Sequence, residues 1–277
     1  MSQSTTQRSH RDVVQRGHRL AICGATDKGS LRSENQDTFV IADLRSGDLS
    51  SPCSRTEISF SKQGILLLVC DVMGGAAAGD VAARIAADAV KHQLVGAGPA
   101  VAAHPKESLK SAVTSANGAV LAAAKAQPRK RGMGTTCTAA IVLPDRLSVA
   151  QVGDSRAYLL RDGHLQLLTR DQTMADQLLE VGALRPEDVA TYPYRHILVQ
   201  AVGTQSTIEP VTSEARLHRG DRILICSDGL HGPVPGPEIA RILGAAADIN
   251  QVTHRLIQAA LKAGGPDNVT VIVADCE

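Results

Sequence analysis

Four apolar runs in this chain meet an aspartate at one end. GILLLVC stops at Asp71, LSVAQVG at Asp154 and RILICS at Asp228, while Gly264 and Gly265 precede Asp267, just ahead of the run VTVIV. Runs of this length, β-branched or aliphatic and bounded by glycine, read as buried strands. One carboxylate at a strand tip is an ordinary turn residue that caps a backbone N–H. Several, with no Lys or Arg beside most of them, point to convergence on a cation, because clustered carboxylates repel one another unless something neutralises them. Oxygen-only ligation suits hard ions such as Mg2+ or Mn2+. The chemistry this predicts is a multi-metal acidic site built from strand ends.

The elements that position these residues follow from the hydrophobic pattern. RLAICGAT (19–26) and TFVIAD (38–43) read as strands around the polar loop DKGSLRSENQD, and the Ser-rich RSGDLSSPCSRTE reads as a surface loop. AGDVAARIAADAVKHQLV carries a narrow apolar stripe at helical spacing, and a second Ala-rich helix, ESLKSAVTSANGAVLAAAKAQ, ends before Pro128. Then come the strands TCTAAIVL, LSVAQVG, RAYLLRD and HLQLLT, with Asp162-Gly163 supplying a hairpin turn. Residues 171–194 are helical and polar-rich. HILVQAVG, IEPVTSEARL and DRILICS are expected strands, GPEIARILGAAA and NQVTHRLIQAALKAG helices, and NVTVIVAD a closing strand. Strand blocks alternating with helix pairs imply antiparallel sheets with helices on their outer faces. Residues 1–17 are polar and aperiodic and read as a disordered tail; 18–277 reads as one domain.

The bulk properties narrow the function. With 29 basic and 28 acidic side chains the formal net charge is +1. The one basic cluster, Arg129-Lys130-Arg131, is short, so docking on nucleic acid or an anionic membrane is not expected. The six cysteines include no CxxC, and most lie inside apolar runs, which reads as reduced, structural thiols. No signal-peptide or membrane-span pattern appears. A cytoplasmic, soluble protein is the expectation.

Six motifs together resemble one family, the metal-dependent PPM-type Ser/Thr protein phosphatases of the bacterial branch. They are GSLRSENQD (29–37), DVMGG (71–75), GMGTT (132–136), VGDSRAYLLRDG (152–163), SDGL (227–230) and GGPDNVT (264–270), in the family's order and spacing. The resemblance implies an α+β fold, a four-layer αββα sandwich with two central antiparallel sheets flanked by helix pairs. It implies hydrolysis of phosphoserine and phosphothreonine in proteins. Two Mn2+ or Mg2+ ions in the core site, with a third beside them, would activate a water; two such ions roughly 3.5–4 Å apart lower its pKa towards neutrality. Asp71, Asp228 and Asp267 match direct metal ligands, Asp71 bridging both ions. Asp37 matches a carboxylate that acts through water, Asp154 joins Asp228 at the third ion, and Val72 offers its backbone carbonyl. Arg32 matches a phosphate-binding arginine, whose planar guanidinium takes two phosphate oxygens at once; with Asp71 it carries the catalytic role. Thr135 and Thr136 read as structural support. Partners would be phosphoproteins and a cognate Ser/Thr kinase.

Two departures stand out. Val72 replaces a near-invariant glycine of the family, so strain is expected if the position needs a positive φ. Met73 takes the place of a histidine proposed as general acid in some members, leaving His231 as a substitute proton donor. The strain at Val72 also supports the alternative reading, a pseudophosphatase that binds a phosphoprotein or regulator without turnover. GDSRA resembles a nucleophile elbow only superficially.

Overall fold

The run ILLLVC is apolar at every position because both faces of its strand, β4 (Ile65–Cys70), are covered. Leu66, Leu68 and Cys70 point into one apolar cluster and Ile65, Leu67 and Val69 into another, the period-two alternation of a strand. The computed structural model describes residues 19–47, 56–59, 62–72 and 79–277. The expected N-terminal tail, Cys53 and Met73–Gly75 fall outside them.

Two antiparallel sheets form the centre. The six-stranded sheet runs β3 (Thr56–Ser59), β1 (Arg19–Asp27), β11 (Val269–Cys276), β10 (Arg222–Cys226), β7 (Arg156–Arg161) and β8 (His164–Leu167). The five-stranded sheet runs β2 (Thr38–Asp43), β4, β5 (Cys137–Leu143), β6 (Arg146–Val152) and β9 (Val211–Arg216). Ile22, Leu67, Val149, Leu159, Ile225 and Ile272 fill the space between them. On the five-stranded sheet lie α1 (Gly79–Gly96) and α3 (Pro105–Ala126), joined through the single turn α2 (Ala100–Ala103). Buried Ala82, Ala86, Ala112 and Ala116 leave little bulk between helix and sheet. On the six-stranded sheet lie α6 (Gly236–Leu243) and α7 (Ile249–Lys262), with Ile239, Leu243, Val252 and Leu256 turned inward. Three apolar layers between four layers of structure make the expected αββα sandwich.

Two shorter α-helices are α4 (Met174–Glu180), within the polar segment after β8, and α5 (Asp228–His231), directly after β10. Thr173 caps α4, accepting from the Asp176 N–H. The β7–β8 hairpin turns at Asp162 (φ 49°) and Gly163 (φ 79°), as Asp-Gly predicts.

Two expectations fail. HILVQAVG is not a strand; it makes only the isolated bridges Leu198↔Thr173 and Val202↔Thr135. It crosses the end of the sandwich, and Ala201 and Val202 are apolar because they are buried there rather than in a sheet. The end of the Ser-rich loop runs into the short edge strand β3, paired with β1 from Ile22↔Thr56 to Arg19↔Ser59. An edge strand of four residues leaves almost no periodic signal. Among the described residues no helix is long and apolar enough to cross a membrane.

Candidate metal-binding active site

Strand direction brings the acidic residues together. Asp71 follows β4, Asp154 lies in the β6–β7 turn, and Asp228 lies just past β10 as the first residue of α5. Asp37 precedes β2, which runs antiparallel to β4, and Asp267 precedes β11, which runs antiparallel to β10. All five therefore emerge at one end of the two packed sheets. Asp71, Val72, Asp154, Asp228 and Asp267 line a common pocket of about 720 Å³, with Arg32 among its walls.

The backbone around Asp71 is locked. Its carbonyl accepts from the Thr136 N–H (2.7 Å) and the Thr135 hydroxyl (2.8 Å), and its own N–H donates to Thr136 Oγ1 (3.0 Å). Thr135 and Thr136 are thus the structural supports expected. Asp37 is held by the hydroxyls of Ser227 (2.9 Å) and Thr270 (2.7 Å), both on its Oδ2. Its Oδ1 is buried with no hydrogen-bond partner. Asn268 ties down the loop that carries Arg32 and Asp37. Its Nδ2 donates to the carbonyls of Lys28 (2.9 Å) and Glu34 (2.8 Å), and its Oδ1 accepts from the Gln36 N–H (2.9 Å). Gly29 of this loop has φ +76°, and a Cβ there would stand 2.1 Å from the Asp267 carbonyl oxygen, so only glycine fits.

Burial and mutual repulsion both oppose ionisation of the cluster. Burial raises the pKa of Asp37 to about 6, against the pull of the Thr270 and Ser227 hydroxyls. Burial, then the charges of Asp37, Asp228 and Asp154, hold Asp71 well above the ordinary carboxylate range. Asp154 is also held well above it by burial and by Asp228 and Asp171, and burial raises Asp228. Among the described residues no three such side chains close on one point, so the carboxylates ring a cavity rather than complete a cage. Their chemistry nevertheless fits a divalent cation: every donor is oxygen, Asp37 Oδ1 lacks a partner, and a cation removes the repulsion.

Arg32 donates to Asp267 Oδ2 at 2.6 Å, a half-exposed ion pair at the pocket wall. A family model described as protein phosphatase 2C matches residues 53–263. The chain belongs to the protein phosphatase 2C family. The serine/threonine protein phosphatase PstP of Mycobacterium tuberculosis is 37% identical over 256 residues, which is 92% of this chain. The chain spans 45% of the length of that relative. The serine/threonine phosphatase stp of Listeria innocua is 31% identical over 90% of this chain and 93% of its own length. Among solved structures, the catalytic domain of PstP in complex with two manganese ions superposes with a TM-score of 0.76 at 34% identity, covering 94% of this chain and 99% of that one.

Against this phosphatase 2C frame, the strain expected at Val72 is absent. Among the described residues only Asp162 combines a side chain with a positive φ. Val72 instead bridges Thr135 through its backbone and packs on the α1–α3 core. Gly79, at the start of α1, makes room for it: a Cβ on Gly79 would stand 1.8 Å from Val72 Cγ1. The pseudophosphatase reading loses the observation that favoured it. His231 does not qualify as a proton donor. Burial pulls its pKa down to about 3, so the ring is neutral, and Nε2–H donates to the Asp154 carbonyl at 3.0 Å.

Several residues of this phosphatase 2C site went unmarked in the sequence. Arg195, His196, Ile197 and Leu198 line the pocket from the segment after α4. An apolar run taken for a strand hid the last two, and nothing in the spacing singles out the first two. Asn268, Ser227 and Thr270 stand inside motifs that were noticed for their aspartates. Buried polar side chains at strand ends were the available signal. Arg156 grips Asp171 through three contacts of 2.7–3.1 Å, anchoring the start of the α4 segment to β7.

Proposed function

We propose that this chain hydrolyses phosphoserine and phosphothreonine in proteins, with Mn2+ or Mg2+ as its cofactor. The observation that carries the reading is the ring of carboxylates at one end of the sheets, Asp71 and Asp154 buried among them, with Arg32 in the pocket wall. Family membership and the manganese-bound relative support it. Asp71, Asp228 and Asp267 would hold two ions in the core site, helped by the Val72 carbonyl and by Asp37 through water, and Asp154 with Asp228 would hold a third. When bound, the ions lower the pKa of a shared water and neutralise charge on the phosphoryl group.

The chain's own groups do the rest. Arg32 is held by Asp267 beside the pocket and presents its remaining guanidinium N–H groups to phosphate oxygens. Thr135 and Thr136 fix the Asp71 backbone, which holds the base of its side chain at the pocket. Asn268 keeps Arg32 and Asp37 in register with Asp267. We further read residues 18–277 as the catalytic unit, cytoplasmic, acting against a Ser/Thr kinase and not on nucleic acid or membrane.

Steady-state kinetics on p-nitrophenyl phosphate and a phosphothreonine peptide test this. Turnover is expected with Mn2+ and none after exhaustive EDTA treatment. Undiminished turnover after chelation would sink the metal mechanism.

A further inference from the structure

A second cavity lies beside the acidic pocket. Pro233 lines the pocket and also this cavity, which has a volume of about 420 Å³ and lies between α6 and α7. The floor of that cavity includes Val234, Ile242 and Ala259. Its rim is cationic. Arg255 and Lys262 stand seven residues apart on α7 and so share one face. Both are exposed, and among the described residues neither has an ion-pair partner. A third cation at the rim, Arg241, is taken up by Glu238 through two 2.7 Å hydrogen bonds. Two positive charges are thus left uncompensated next to a pocket ringed by aspartates. The two uncompensated cations beside the phosphate pocket offer complementary charge to the acidic flank of a phosphopeptide.

We propose that the α6–α7 cavity is a substrate subsite for acidic side chains that flank the phosphoresidue. The proposal rests on the phosphatase reading and adds a substrate class to it. Arg255 meets a carboxylate with two parallel N–H donors and Lys262 meets it as a point charge. The apolar floor takes the aliphatic part of the same flank, and Pro233, which lines both cavities, places them side by side.

The test is the double variant Arg255→Glu/Lys262→Glu with Mn2+ on three substrates: a phosphothreonine peptide with glutamates beside the phosphoresidue, the same peptide with alanines there, and p-nitrophenyl phosphate. KM for the glutamate peptide should rise about tenfold at unchanged kcat, and the gap should narrow as salt screens the charges. The alanine peptide and p-nitrophenyl phosphate should be turned over as by wild type, which also shows that the variant is folded. An unchanged KM for the glutamate peptide, or an equal loss on all three substrates, overturns the subsite. If wild type turns over none of them, the phosphatase reading fails. The subsite is then decided by fluorescence anisotropy of the labelled glutamate peptide: weaker binding to the variant supports it and equal binding overturns it.

Discussion

At neutral pH an ionised Asp71 faces the carboxylates of Asp37, Asp154 and Asp228 inside the sandwich. Without a cation that arrangement is destabilising. Asp71→Asn keeps the shape and an N–H donor for Asp228 while removing one charge. The metal-free variant should therefore melt at a higher temperature than metal-free wild type, yet lose more than about tenfold in kcat, above ~1.4 kcal/mol of transition-state stabilisation. Thermal denaturation in EDTA beside kinetics in Mn2+ reads both halves; a lower melting temperature contradicts the charge argument. Val72 gives the opposite kind of prediction. It packs against the α1–α3 core in the space left by Gly79. Val72→Gly should cost about 1–3 kcal/mol through lost burial and a freer unfolded chain, with Mn2+ affinity unchanged. Tighter Mn2+ binding by the glycine variant would restore the strain that φ does not show.

The elements that carry the site differ in how legibly the sequence announced them. Strands β4, β6, β10 and β11 are covered on both faces, so their apolar runs were unmistakable, and the aspartates at their ends marked the pocket. The segment Arg195–Leu198 had no such mark, since its backbone pairs at only a few points and its apolar run imitates a strand. Strand β3 was too short and too polar to register. The fixing of the 28–36 loop was likewise invisible, because Asn268 acts through contacts more than 230 residues away in sequence. Asn268→Ala leaves two carbonyls and one N–H of that loop without partners, which should cost about 2–4 kcal/mol. Hydrogen exchange should quicken across residues 28–36 and kcat/KM should fall. Unchanged exchange there would mean that the loop is held by something else.

On the scale of the whole molecule, pH acts through ion pairs away from the site. Asp221 is buried, and burial alone would raise its pKa. Two hydrogen bonds from Arg161 (2.8 and 2.6 Å) and one from the His218 N–H (2.7 Å) outweigh burial and hold it below its ordinary range. A carboxyl depressed in the folded state contributes stability above its unfolded pKa of about 3.9, and that contribution is lost as pH falls through the folded value. Asp221→Asn should thus cost about 1–2 kcal/mol at pH 7. Urea denaturation at several pH values should show the gap to wild type closing below about pH 4. A gap that widens on acidification contradicts the assignment. The central claim is that one end of the sandwich is a divalent-metal site made by aspartates from both sheets. Calorimetric titration of Mn2+ into EDTA-treated wild type and Asp228→Asn tests it most directly. Wild type should take up at least two equivalents, two being the number held by the PstP catalytic domain, and the variant should lose most of that binding. Equal stoichiometry and affinity in the two proteins would place the metal elsewhere and contradict the account.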